Sequence, residues 1–301
     1  MRWGALLMAL ALALTGGAAC SALPAASADP RFAGATGSIP LDMSGPLPTA
    51  RLNVGGRSLT AIFDSGAEAS VVRLSAARMA GLPDEGSASA ASPTGVPVSG
   101  FRTTLRNARL ASVAFADAFA VAIDIPIPLP GVEAIISPSI FTGRLVRFDM
   151  ARGVVDILVK NPANIPATPA TGYIGGRHGV GVPAARLTLP NGHELVVDVD
   201  TGSTQDFNLP YELSSQLALA GPLLPGLRIR MIGSDHEVSR GRLVGRVRIG
   251  EVVLDNPEVN FVQGISRASI GSVLLRSMIL LLDPEERRAW VLAAAGPQRP
   301  H

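Results

Sequence analysis

Two short triplets carry the residues that could do chemistry, Asp64-Ser65-Gly66 and Asp200-Thr201-Gly202. Each ends an apolar run and precedes another small residue. If the fold brings Asp64 and Asp200 within roughly 3 Å, the two carboxyl groups cannot both ionise. One then keeps a proton while the other stays charged. The charged member can take a proton from water and the protonated one can donate to a carbonyl. The pattern predicts hydrolysis by an aspartate pair; the alternative is that both aspartates merely cap turns.

A repeated pattern surrounds the two triplets. Residues 48–52 resemble residues 183–187, and each segment leads through a turn into a β-rich run that ends in the triplet. Turn residues between two apolar runs predict a β-hairpin. Corresponding positions lie between 134 and 139 residues apart along the chain. This steady offset predicts an internal duplication with one catalytic aspartate in each copy.

The remaining elements are predicted to be mostly short strands. Helices are expected only near residues 74–80, 211–219 and 139–145, so the predicted class is mainly β. We expect two related lobes, residues 48–160 and 183–295, joined by a linker rich in proline and glycine at residues 161–182. Residues 29–47 predict a tether, or a first strand, rather than a domain.

The amino-terminal residues 1–28 resemble an export signal. Arg2 precedes an apolar run, residues 5–14, that is too short to span a bilayer. Two processing sites compete: cleavage after Ala28, or a lipobox-like sequence ending at Cys20, the only cysteine, which would then carry lipid. Both predict export to a bacterial periplasm or envelope membrane, with membrane attachment only through that lipid.

The composition excludes several other classes of function. A net charge of +2 and 4% aromatic residues offer neither a basic patch nor stacking platforms, so no nucleic-acid partner is expected. One cysteine excludes a disulfide framework. The four histidines lack the spacing of a metal site, and no phosphate-binding or dinucleotide motif is convincing. We therefore expect no metal and no cofactor.

The sequences FDSGAEASVV and DVDTGSTQDF, with the repeat around them, resemble bacterial retropepsin-like aspartic proteases, here with two retropepsin-type units in one chain. The resemblance covers about residues 48–295. It implies two pseudo-twofold-related closed β-barrel lobes with the active site between them, and an exported aspartic endopeptidase that needs no second chain and is a monomer. Peptides or proteins would be the substrates.

The same resemblance implies roles for individual residues. Asp64 and Asp200 would be catalytic, supported by the other motif residues Ser65, Gly66, Thr201 and Gly202. Hairpin flaps over the substrate would lie around residues 92–102 and 232–242, with tip or hinge glycines at Gly95 or Gly100 and at Gly233 or Gly241.

One departure from the family pattern concerns its apolar-apolar-Gly element. The second unit has the glycine, Gly271, whereas the first has Ser137 in its place. A serine there is expected to crowd the backbone near the first motif. This supports an alternative function, a non-catalytic envelope lipoprotein that binds peptides and retains the aspartic-protease fold.

Overall fold

The computed structural model describes residues 36–91, 97–124, 129–175, 181–226, 229–231 and 234–294. The protein is mainly β, as the sequence predicts. No helix among these residues is long and apolar enough to cross a membrane.

The strands of the first half are β1 (Gly37–Pro40), β2 (Thr49–Val54), β3 (Arg57–Phe63), β4 (Ser70–Arg73), β5 (Ser87–Ala91), β6 (Pro97–Leu105), β7 (Arg109–Leu110), β8 (Val113–Ala114), β9 (Ala118–Ile123), β10 (Ala134–Ile136), β11 (Arg144–Asp149) and β12 (Val154–Val159).

The later strands are β13 (Thr171–Ile174), β14 (Val182–Thr188), β15 (Glu194–Asp200), β16 (Phe207–Pro210), β17 (Leu224–Pro225), β18 (Ile229–Met231), β19 (Ser234–His236), β20 (Val238–Arg242), β21 (Arg246–Ile249), β22 (Val252–Asp255), β23 (Glu258–Val262), β24 (Ala268–Gly271), β25 (Met278–Asp283) and β26 (Arg288–Ala293).

Helices are few and short. The predicted helix at residues 74–80 is present as α1 (Leu74–Met79), and those near 139–145 and 211–219 shrink to 3₁₀ turns, Pro138–Ile140 and Tyr211–Ser215. Residues Ser272–Leu275 form a further helical turn, α2, that the sequence did not indicate.

The hairpin of β2 and β3 leads the chain to the first aspartate. In β2 the apolar residues Ala50, Leu52 and Val54 point inward and alternate with more exposed neighbours, as expected of a strand with one buried face. Gly55 and Gly56 both have positive φ, 57° and 73°, which suits the tight turn between two hydrogen-bonded strands. The hairpin thus ends with Asp64 just past β3.

The strand pairings of the two halves correspond. In the first half β10 lies between β3, to which it is parallel, and β4, to which it is antiparallel. In the second half β24 lies in the same way between β15 and β16. The parallel pairing of β4 with β9 has its counterpart in β16 with β23, and the antiparallel pairing of β6 with β9 in β20 with β23.

Two large sheets result. A nine-stranded sheet has the order β5-β6-β9-β4-β10-β3-β2-β7-β8. A fifteen-stranded sheet runs β1-β12-β11-β25-β26-β13-β14-β15-β24-β16-β23-β20-β17, with β21 and β22 attached at β14. Within it β11 pairs with β25, so strands of both halves form one continuous layer.

The expected closed barrels are not what the described strands form. The nine-stranded sheet has edges at β5 and β8, and the fifteen-stranded sheet has edges at β1 and β17. The physical reason in the second half is β13, which pairs with both β14 and β26 and so carries the sheet onward into the shared layer. Both sheets are open across the residues described.

Two segments expected to be connections are partly ordered into the sheets. Strand β1 lies in the segment 29–47 and pairs with β12, and Ile39 and Leu47 are buried. Strand β13 lies within residues 161–182. The predicted signal and lipidation sites at residues 1–28, with Cys20, lie outside the described residues.

Candidate active site

Asp64 and Asp200 occupy corresponding places at the ends of two buried strands. Asp64 follows β3, and its N–H donates to the Ile136 carbonyl of β10 at 2.9 Å. Asp200 is the last residue of β15 and lies in register with Gly271 of β24. Both aspartates are almost completely buried, with 1% and 4% exposure. A central parallel strand therefore fixes the position of each carboxyl group.

Ser65 and Thr201 join the two motifs by reciprocal hydrogen bonds. The N–H of Ser65 donates to Thr201 Oγ1 at 2.8 Å, and the N–H of Thr201 donates to Ser65 Oγ at 2.9 Å. Each hydroxyl then donates across to the other half, Ser65 Oγ to the Val199 carbonyl at 3.1 Å and Thr201 Oγ1 to the Phe63 carbonyl at 2.9 Å. Four buried hydrogen bonds thus fix the relative position of the two aspartate strands.

The glycines of both motifs allow the carboxyl groups to approach. Each donates its N–H to the aspartate two residues earlier, Gly66 to Asp64 Oδ1 at 2.7 Å and Gly202 to Asp200 Oδ1 at 2.8 Å. A Cβ on Gly66 would lie 2.9 Å from Asp200 Oδ1, and a Cβ on Gly202 would overlap the Asp64 carboxyl group. Each glycine therefore contacts the opposite aspartate, and the position tolerates no side chain.

The two carboxyl groups form one electrostatic unit. Burial raises the pKa of Asp64 to about 6, although hydrogen bonds from Asp200 and from the backbone of Gly66 and Gly202 oppose the rise. Burial also raises the pKa of Asp200 well above its ordinary value, and the nearby charge of Asp64 raises it further. The carboxyls are within hydrogen-bonding reach, so they titrate as a pair that shares one proton over a range of pH.

This arrangement has the parts for acid–base hydrolysis. The ionised member of the pair can accept a proton from water, and the protonated member can donate one to an oxygen on which charge develops. Among the described residues, no group of three or more histidine, cysteine or acidic side chains could hold a metal ion.

Comparison with known families points to the same chemistry. Residues 50–140 match the aspartyl protease family model. The matched segment is under a third of the chain and includes Asp64, Ser65, Gly66 and Ser137. It supports a place among the aspartyl proteases for this part of the protein. No curated protein matches the chain.

Ser137, which departs from the pattern of the aspartyl protease element, fits its surroundings. Its N–H donates to Ser70 Oγ at 3.1 Å, and its own hydroxyl lies 2.8 Å from Ser139 Oγ and caps the turn that follows. At Gly271 a Cβ would overlap the Gln205 carbonyl. The two halves differ locally: the Ser70 hydroxyl accepts from the N–H of Ser137, whereas the Asp206 carbonyl accepts from the N–H of Gly271.

The predicted flap glycines are placed as follows. Gly100 lies in β6 opposite Ile123, and a Cβ there would overlap the Ala122 carbonyl. Gly241 lies in β20 opposite Val259. A Cβ added to Gly241 would lie 2.9 Å from the Leu223 side chain. Both therefore serve close packing within strands. Gly95 and Gly233 lie outside the described residues, between β5 and β6 and between β18 and β19.

Arg267, which sequence reasoning missed, belongs to a group of polar residues beside Asp200. Asp198 precedes it by two positions on β15, and Arg267 Nη2 lies 3.0 Å from Asp198 Oδ2. Burial raises the pKa of Asp198, while Arg267 opposes the rise. Alternation along β15 places Asp198 and Asp200 on one face, but the contact of Arg267 with Asp198 could not be predicted, because 69 residues separate the two in the chain.

Proposed function

We propose that this protein is an exported aspartic endopeptidase with one active site assembled from two related units. The observation that carries the proposal is the pair Asp64 and Asp200, both buried, in mutual hydrogen-bonding reach and joined through Ser65 and Thr201. The aspartyl protease match at residues 50–140 supports the reaction class. The corresponding strand pairings around Asp200 support an equivalent second unit that the family model does not cover.

The reaction proceeds by proton exchange within the pair. Asp64 takes a proton from water while the oxygen of that water bonds to the peptide carbonyl carbon. At the same time Asp200 donates its proton to the carbonyl oxygen. In the resulting tetrahedral diol, Asp200 takes back a hydroxyl proton while Asp64 gives its proton to the nitrogen. The C–N bond breaks, yielding a carboxylic acid and an amine, and the pair returns to its starting state.

We also propose that the protein acts outside the cytoplasm as a monomer. Residues 1–28 would direct export, and Cys20 would anchor the mature chain to the envelope if the lipobox-like site is used. One chain holds both aspartates, so a second copy is not required for catalysis. The mass of the exported protein distinguishes acylation at Cys20 from cleavage after Ala28.

The decisive experiment replaces Asp64 or Asp200 by Asn and measures cleavage of an unfolded protein between pH 4 and 8. Either substitution is expected to lower the rate by at least about a thousandfold, because the neutral amide can neither accept nor donate the catalytic proton. The exposed Asp124→Asn is the matched control and should cleave like the parent. Full activity in both site variants would overturn the proposal.

The same assay distinguishes the alternative of a peptide-binding lipoprotein without activity. That alternative expects peptides to bind the unmodified protein with no turnover at any pH. Its support is the serine at position 137, whereas the burial and pairing of Asp64 and Asp200 support catalysis. The endopeptidase is therefore the function that the site favours.

A further inference from the structure

A row of polar side chains crosses the sheet beside Asp200. Asp198 lies in register with Ser269, Ser269 with Asn208, and Asn208 with Asn260, on strands β15, β24, β16 and β23. Residues paired across neighbouring strands project from the same face. Asp200 lies two residues beyond Asp198 and so on that face as well. We call the side chains of four of these residues the polar row: Asp198, Ser269, Asn208 and Asn260.

The first half has an apolar row at the corresponding positions. Ile62, two residues before Asp64, is in register with Ile135; Ile135 is in register with Val71, and Val71 with Val121. Each is at most 1% exposed. Leu47, Ala88 and Val132 pack over them, so this face is a small second core. The two sides of the aspartate pair are thus chemically unlike although the strands correspond.

The polar row is internally hydrogen-bonded but incomplete. Asn208 Nδ2 donates to Ser269 Oγ at 3.0 Å, and Asn260 Nδ2 donates to Asn208 Oδ1 at 3.2 Å. Gln205 Oε1 accepts from Asn208. Among the described residues, Asp198 Oδ1 and Gln205 Nε2 are buried polar atoms without a hydrogen-bond partner, and Gln205 as a whole is 4% exposed.

Unpaired buried polar groups are costly, and a bound group that satisfies them is favoured. Asp198 Oδ1 can accept a hydrogen bond and Nε2 of Gln205, the neighbour of Asn208, can donate one, so the row and Gln205 together offer a ligand both roles. Arg267 balances the charge of Asp198, which favours a neutral partner over a cationic one. The Asp198 side chain remains 20% exposed, and Ser269 and Asn260 are also partly exposed, so the row is accessible.

We infer that the polar row is a specificity subsite for a neutral, hydrogen-bonding side chain of the substrate, an amide or a hydroxyl, beside the scissile bond on the Asp200 side. The inference rests on the proposed peptidase function. The apolar row of the first half has no equivalent capacity, because its face is already covered by apolar side chains of the same chain.

Binding to an inactive protein tests the subsite separately from catalysis. The probes are peptides that carry Asn, Gln, Ser, Leu or Lys at one varied position on either side of a fixed central bond. They are titrated against the full chain carrying Asp64→Asn. For one of the two positions we expect amide or hydroxyl side chains to bind about tenfold or more tightly than Leu, because a hydrogen-bonding site rejects partners that leave it unpaired.

Substitutions then test whether the polar row causes that preference. Asp198→Ile with Ser269→Ile, added to Asp64→Asn, introduces the residues that the first half has at these positions and should reverse the preference toward Leu. Asp198→Asn keeps the size and hydrogen bonding of the side chain and should retain the amide preference, which also guards against simple misfolding. Ile135→Val in the apolar row is the matched control and should leave the preference unchanged.

Several outcomes would overturn the inference: no binding of any probe, equal or tighter binding of Leu or Lys at both positions, or an amide preference that survives the double replacement. Cleavage of the same peptides by the unmodified protein is scored in parallel. An amide preference in binding with no cleavage would refute the peptidase and leave the subsite standing, so the two failures are distinguishable.

Discussion

Ser65 and Thr201, 136 residues apart in the chain, each donate a backbone N–H to the hydroxyl of the other. Because the hydroxyls also donate to carbonyls of the opposite half, each side chain satisfies two buried backbone groups. The pair thus fixes the relative position of the Asp64 and Asp200 carboxyl groups.

Replacing Thr201 by Val should therefore lower the free energy of unfolding. The substitution leaves the Ser65 N–H and the Phe63 carbonyl buried without partners, at a cost of about 1–3 kcal/mol each. Denaturant unfolding measures the loss, and Thr201→Ser, which keeps the hydroxyl, is the control. Equal stability of the Val and Ser variants would contradict the expectation.

The pH dependence of cleavage should have its acidic limb near pH 6. Below that pH the buried Asp64 is protonated and cannot take a proton from water; at higher pH the rate falls again as Asp200 loses its proton. Initial rates on one peptide between pH 4 and 9 locate both limbs. An acidic limb near pH 4 would show that burial does not govern the ionisation of Asp64.

The aspartate pair should also make stability depend on pH. A carboxyl whose pKa is raised on folding contributes its stability below the unfolded value, near 4, and loses it as the pH rises through the folded pKa. The free energy of unfolding should therefore fall between pH 4 and 7. Asp200→Asn removes part of this dependence and should be more stable than the parent at pH 7, whereas Asp124→Asn should keep the parent's slope.

Gly202→Ala should abolish most activity, because its Cβ would overlap the Asp64 carboxyl group and displace it. A misplacement of about 1 Å can cost on the order of a hundredfold in rate. Gly221→Ala, where an added Cβ meets nothing within 4 Å, is the matched control. Comparable kcat values for the two variants would mean that Gly202 does not determine the position of Asp64.

The element that departs from the family pattern gives the last prediction. Ser137→Gly should retain the parent's kcat within about twofold and lose only about a few tenths of a kcal/mol of stability with the capping hydroxyl. Gly271→Ser should be strongly destabilised, because its Cβ would overlap the Gln205 carbonyl. Thermal unfolding and initial rates of both variants check the asymmetry; a gain of activity in Ser137→Gly would show that the serine does impair the first half.

The sequence predicted the pairing of the two aspartates better than it predicted the sheets that surround them. Asp64 and Asp200 were predictable because a short motif recurs at a steady offset in similar apolar surroundings. The continuous layer through β11 and β25 was not, because long-range strand pairing leaves no local periodic pattern. The hydrogen bond from the Ser137 N–H to the Ser70 hydroxyl was not predictable either, because only the fold brings Ser70 to position 137.

The hydrogen bonds between Ser65 and Thr201 also have a consequence for when the proposed peptidase activity would appear during folding. Contacts this far apart in sequence close late, since the entropy of a long loop must be overcome before they form. A partly folded chain with only one half in place would hold a single, unpaired aspartate and could not hydrolyse its neighbours. Proteolytic competence would thus arise only with completed folding.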